Sequence, residues 1–219
     1  MPTADAITRY YHGSSARFNR FDLAHVLTGA SKVKFGYGVY LTSSFKSAAH
    51  YSGANKDAVT HYVYTVEIPE ITVNNHIAFK QPVNPAIVKR AENKLCCTIP
   101  EKVTLDGKEF RKFLAKKLGG GSDIQSEKLA SEFLSSIGVD FITWPYNWKN
   151  PALGTNVAVL DENNIKIIKV DQVAQWEHRG AEYGPAGLAQ AGGPLPGQRH
   201  GAQRRYAAPP GSGGGWGGL

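Results

Sequence analysis

Two short stretches of this chain hold the residues best suited to chemistry. His12-Gly13 forms a corner, and Gly38-Val39-Tyr40-Leu41-Thr42 leads on to Ala48-Ala49-His50-Tyr51, so that Tyr40 and Tyr51 stand eleven residues apart. If Tyr40 ends a strand and Tyr51 sits on a returning helix, the two rings can face each other across a slot. Ala48, one helical turn before Tyr51, would form a small floor on the same face. Such a slot suits a flat heteroaromatic ring, because stacked aromatics stabilise by about 0.5–1.5 kcal/mol per pair beyond the area they bury. Gly13 has no Cβ, so its amide and carbonyl can approach a planar carboxamide and read it at two points. His12 beside it can donate to a ribose hydroxyl. Each element also has a plainer reading, since His-Gly is a common turn dipeptide and two tyrosines can be core aromatics.

Several other chemistries lack their residues. No Gly-rich loop ends in Gly-Lys-Ser/Thr, no Gly-x-Gly-x-x-Gly lies between a strand and a helix, and no His-Glu-x-x-His occurs. The two cysteines, Cys96 and Cys97, are adjacent, which builds neither a disulfide framework nor a cysteine-rich zinc site. No metal ligand set is therefore assigned.

The constellation resembles the ADP-ribosyltransferase family of the diphtheria-toxin and poly(ADP-ribose)-polymerase type. That family carries His-Gly-Ser/Thr as a first motif and Gly-x-Tyr followed eleven residues later by Tyr as a second. Tyr11-His12-Gly13-Ser14, with Phe18, Phe21 and Asp22 behind it, and Gly138-Val139-Asp140 before the last strands are similar to transferase-like domains of phage and mobile-element polyvalent proteins. The likeness covers about residues 7 to 170. It implies NAD as substrate, with His12 on the nicotinamide-side ribose, Gly13 and Ser14 in the first motif, and Tyr40 and Tyr51 around the nicotinamide ring. Ala48 takes the place of a serine that bonds the carboxamide in polymerase-type members.

A third family motif puts a glutamate on a late strand, where it holds a ribose hydroxyl and stabilises the developing oxocarbenium. Threading 155–161 onto that strand places Asn156 there, which can hydrogen-bond but supplies no charge. Glu162 lies six residues on, roughly 20 Å along an extended strand. The implied activity is mono-ADP-ribosyl transfer to a macromolecular acceptor, nucleic acid or protein, by a bacterial or phage toxin or effector, with an antitoxin or immunity protein as a partner. An NAD glycohydrolase and a non-catalytic NAD- or nucleic-acid-binding module are the alternatives.

The elements that must position these residues read as an α+β domain over residues 1–175, because strands and helices do not alternate regularly. The family likeness implies a split β-sheet core with peripheral helices. Strands are predicted at Ile7 to Tyr11, ending in a turn over His12 to Ser15, and at Gly38 to Thr42, His61 to Ile68, Phe141 to Trp144, Asn156 to Leu160 and Ile165 to Val170. Helices are predicted from a Ser43 or Ser44 cap to Tyr51, from an Asn84-Pro85 start to Leu95, over Lys108 to Leu118, and after a capping box at Ser122 to Gln125.

Composition changes after about Trp176. The last 44 residues hold 13 of the 24 glycines and 5 of the 12 prolines, and are predicted to be a disordered tail, 176–219, in which Arg199, Arg204, Arg205 and Tyr206 can touch nucleic acid only electrostatically. No apolar run approaches the eighteen residues of a membrane span, and the start lacks an export signal, so a cytoplasmic setting, or delivery into a target cell's cytoplasm, is expected. The 25 Lys+Arg against 18 Asp+Glu, a net charge of +7, favour polyanionic partners.

Overall fold

A computed structural model describes residues 8–25, 33–53, 58 and 60–173. The segment 176–219, with its four arginines, lies outside the described residues, as do 54–57 and 59 of the loop after the first helix. Among the described residues seven strands and five α-helices make a mixed α+β domain. The strands are β1 (Thr8–Ser14), β2 (Val39–Thr42), β3 (His61–Ile68), β4 (His76–Ala78), β5 (Phe141–Pro145), β6 (Thr155–Val159) and β7 (Lys166–Val173). The helices are α1 (Phe45–Ser52), α2 (Pro85–Leu95), α3 (Glu101–Thr104), α4 (Gly107–Gly119) and α5 (Ile124–Ser135). No helix among the described residues is long and apolar enough to cross a membrane.

The sheet order is β4-β5-β6-β2-β1-β3-β7, antiparallel apart from the β4–β5 pair. Its two halves meet where β1 lies beside β2, and there the register holds one pair, Tyr11 opposite Thr42. By contrast, β1 pairs with β3 over seven positions. Side chains alternate between two faces. Ile142, Trp144, Ala158 and Leu160 point into a core shared with α2, α4 and α5, while Tyr10, Leu41, Tyr64, Val157 and Val159 line the opposite face. Helix α1 covers Val63 and Tyr11 on the first of these faces.

Side-chain capping explains where four of the five helices begin, all but α3, because the first-turn amides lack partners inside the helix. Ser44 Oγ accepts from Ser47 N at 3.2 Å, Asn84 Oδ1 from Ala86 N at 2.9 Å, and Asp106 from Lys108 N at 2.8 Å. The expected box at Ser122 starts one residue later: Asp123 accepts from Ser126 N at 3.0 Å and also from the Ser126 hydroxyl at 2.8 Å. Asp123 wins because a carboxylate gives charge-assisted bonds.

Two expectations fail locally. His12 and Gly13 are not a turn; they continue β1, held by pairing to Tyr64 and Val63. Strand β3, read as half-buried, is buried on both faces over most of its length, since it runs between β1 and β7 with α1 above it. The short β4 and α3 have too few residues to show a period and are not foreseen.

Arg111 of α4 and Glu127 of α5 form a buried ion pair between the two helices. A single substitution there strands a charge in the core. Glu127→Gln should therefore cost about 3–5 kcal/mol in urea unfolding, whereas the double change Arg111→Met with Glu127→Leu should recover most of that loss. Tolerance of Glu127→Gln to within about 1 kcal/mol would show that the pair is not desolvated as described.

Candidate functional site

Gly13 lies inside β1, where glycine has low propensity, so something must require it. Helix α1 crosses directly above: a Cβ at Gly13 would collide with the Ala48 carbonyl and lie 2.7 Å from Ser52 N. Its missing side chain is thus accounted for by packing, and that packing brings Gly13 and Ala48 together.

His12 faces the other side of the sheet, edge-on to Phe21 at 5.1 Å between ring centroids. Its Nδ1 lies 2.8 Å from the Tyr40 carbonyl across the seam between the half-sheets. A carbonyl only accepts, so Nδ1 carries the hydrogen. Burial pushes the imidazole pKa down, partly offset by this bond, and holds the ring neutral. Nε2 is then an acceptor. Towards a hydroxyl this nitrogen can accept a hydrogen bond and cannot donate one. Ser14, which ends β1, uses its Oγ to accept from Ala16 N at 3.0 Å, shaping the turn that follows.

The Tyr40 hydroxyl accepts from Phe35 N at 2.9 Å and donates to Gly36 O at 2.8 Å, which ties the loop before β2 to the strand. Its ring meets Trp144 edge-on at 5.3 Å and Phe35 at 6.3 Å. Burial raises the phenol pKa to about 12, against lesser opposing effects of the Phe35 amide and the Arg111 charge. Tyr51 differs in exposure and in ring contacts. It is 61% exposed, and its ring contact is with neighbouring His50 at 5.7 Å. Among the described residues the rings of Tyr40 and Tyr51 are not in contact with each other. Helix α1 buries Ala48, Ala49 and Ser52 and leaves Tyr51 exposed, so the two rings do not form the facing pair that the sequence suggests.

Asn156 lies in β6, opposite Thr42 of β2 and Trp144 of β5. Tyr11, Thr42, Asn156 and Trp144 therefore form one line across four strands, on the face that also carries Gly13 and Tyr40. Tyr40 pairs with Ala158, which makes it the diagonal neighbour of Asn156, a relation of roughly 7–8 Å. The Asn156 carboxamide is half-buried and makes no hydrogen bond among the described residues. Glu162 opens a 3-10 turn past the far end of β6.

The structure thus gathers His12, Gly13, Tyr40, Ala48 and Asn156 around the seam and sets Tyr51 at its edge. Sequence reasoning missed Phe35, which stacks on Trp144 at 4.0 Å with planes 3° apart and so backs Tyr40. No local signal marks it, because the two residues are far apart in the chain. Comparison with protein-family models, with curated proteins and with solved structures finds no match to this chain.

Tyr40→Phe should leave the Phe35 amide and the Gly36 carbonyl without partners and cost ~1–3 kcal/mol. Ultraviolet titration of the wild type should show a phenol ionising near 12 that the variant lacks. Folding favours the neutral phenol, so this contribution to stability is complete below pH 10 and lost as the pH rises through about 12. Equal stability of the two proteins from neutral to high pH would contradict the hydroxyl's role.

Proposed function

We propose that this chain is an NAD-dependent mono-ADP-ribosyltransferase with a transferase-like split sheet, acting as a toxin or effector of bacterial or phage type. The observation that carries the reading is the seam. There the His12 ring bonds the Tyr40 carbonyl, and Gly13 lies against Ala48, so the residues of both aromatic motifs converge on one place. The single register pair between the half-sheets also agrees with a sheet that opens at this point to admit a ligand.

In this reading the Gly13 peptide group pairs with the nicotinamide carboxamide, while the ring lies between Tyr40 and Tyr51. Nε2 of His12 accepts from a hydroxyl of the adjoining ribose, and the Asn156 carboxamide holds a second hydroxyl. The C–N glycosidic bond breaks with its electron pair leaving on the pyridine nitrogen, which discharges the pyridinium. A nucleophile of the acceptor then bonds to the ribose carbon and releases its proton. Positive charge builds on the ribose as the bond breaks. A carboxylate would lower that barrier, but Asn156 offers only a dipole, and losing one such contact costs about 2.7–4 kcal/mol.

That deficit favours a second reading, a module that holds NAD without turning it over. Nicotinamide release separates the two. The transferase reading expects release from NAD and transfer of label to a component of whole-cell lysate. Tyr51→Ala, at an exposed position, should cut release about tenfold with an unchanged melting temperature. Asn156→Glu should raise the rate substantially. Because His12 is held neutral, release should stay level as the pH falls past 6.5 and drop only below that. NAD-dependent thermal stabilisation without release would select the binding module, and absence of both would refute NAD as the ligand.

A further inference from the structure

An unbroken series of ring contacts runs outward from Tyr40. Tyr40 meets Trp144 at 5.3 Å, Trp144 stacks on Phe35 at 4.0 Å, Phe35 meets Phe79 at 4.7 Å, and Phe79 meets Trp148 at 6.2 Å. The series ends at the surface, where Trp148 is 45% exposed. Cations flank it. Lys80 Nζ lies 4.6 Å from the Trp148 ring centroid, Lys34 Nζ lies 5.4 Å from the Phe35 centroid, and Lys149 follows Trp148 in the chain. All three lysines are exposed, and none forms an ion pair among the described residues. Lys108, Lys112, Lys128, Lys166 and Lys169 are each matched to a carboxylate, whereas Lys89, Lys102, Lys116 and Lys117 are, like these three, exposed and without an ion pair among the described residues, so the position beside the rings is what distinguishes Lys34 and Lys80.

An exposed indole beside unpaired ammonium groups offers two things at once, a face on which a flat base stacks and charge for a polyanionic backbone. A protein surface would have to bring carboxylates and an apolar cavity to match; a single nucleic-acid strand carries both required features in every nucleotide. A duplex keeps its base faces stacked internally and has none to offer Trp148. The loop bearing Trp148 is also fixed relative to the ends of β2 and β6, since Tyr146 N bonds Gly154 O at 2.8 Å and Thr155 N bonds Ser43 Oγ at 2.9 Å.

We propose that Trp148 with Lys34, Lys80 and Lys149 forms a binding surface for single-stranded nucleic acid. Resting on the transferase reading, the strand is then the acceptor. An oxygen or nitrogen of the strand bonds to the ribose carbon as the bond to nicotinamide breaks, nicotinamide takes the electron pair, and the strand's displaced proton passes to solvent. The binding surface itself requires no NAD.

Fluorescence anisotropy of the full chain with labelled oligouridylate, oligothymidylate and a mixed-sequence duplex, each about twelve nucleotides long, tests this without NAD. Both single strands should bind more tightly than the duplex. Trp148→Ala should weaken single-strand binding about tenfold or more, and Trp148→Phe should retain most of it. Lys80→Gln with Lys149→Gln should flatten the slope of log affinity against log salt by about 1.4, as expected for two lost phosphate contacts. Duplex binding as tight as single-strand binding, or indifference to Trp148→Ala in a protein that melts normally, would overturn the proposal. Nicotinamide release is a separate readout, so failure of NAD chemistry leaves a positive binding result standing, and failure of strand binding leaves the NAD reading intact.

Discussion

Everything near His12 depends on how β1 is joined to β2 within the seven-stranded sheet. A long antiparallel ladder would have closed the seam with backbone bonds. Instead β1 and β2 share one register pair, and beyond it an imidazole bridges to the Tyr40 carbonyl. A side chain does there what the backbone does elsewhere, and it leaves a ring nitrogen with a lone pair beside strands that are no longer zipped together. The constraint propagates. Tyr40 is fixed at its carbonyl by His12 and at its hydroxyl by the loop before β2, so the strand end cannot shift independently of that loop.

Around this joint the protein uses rigid packing. Helix α1 can lie on β1 because Gly13 leaves it room, and the contact sets the depth of the floor under the seam. On the other side Phe35 and Trp144 stack nearly parallel, and the buried Arg111–Glu127 pair ties α4 to α5 beneath the same loop. Arg111 further donates from Nη2 to the Lys34 carbonyl at 3.4 Å. The loop before β2 is thereby supported by aromatic and ionic contacts from elements distant in the chain.

Much of this was legible in the sequence where the signal is local. Ser44, Asn84 and Asp106 cap their helices because a short polar side chain before a helical run has one good use, and the alternation over His61 to Ile68 marks β3 residue for residue. Elements were lost where the signal is not local. His12-Gly13 reads as a turn because glycine usually breaks strands, and only the helix lying on it explains a glycine there. The neighbours of Tyr40 were equally hidden: Phe35 sits in an irregular loop with no period, and its partner comes from a strand more than a hundred residues away. The motif residues were visible as types and spacings, but the protonated nitrogen of His12 and the exposure of Tyr51 follow only from three-dimensional packing.

The central claim is that the seam beside His12 receives the nicotinamide end of NAD. The most direct measurement is the NMR spectrum of the His12 imidazole during titration with NAD, with nicotinamide mononucleotide and with AMP as separate ligands. The account predicts that NAD and nicotinamide mononucleotide both move the His12 resonances, with Nε2 reporting a new hydrogen-bond donor, while AMP leaves them in place. Movement with AMP alone, or no movement with any of the three, would contradict it.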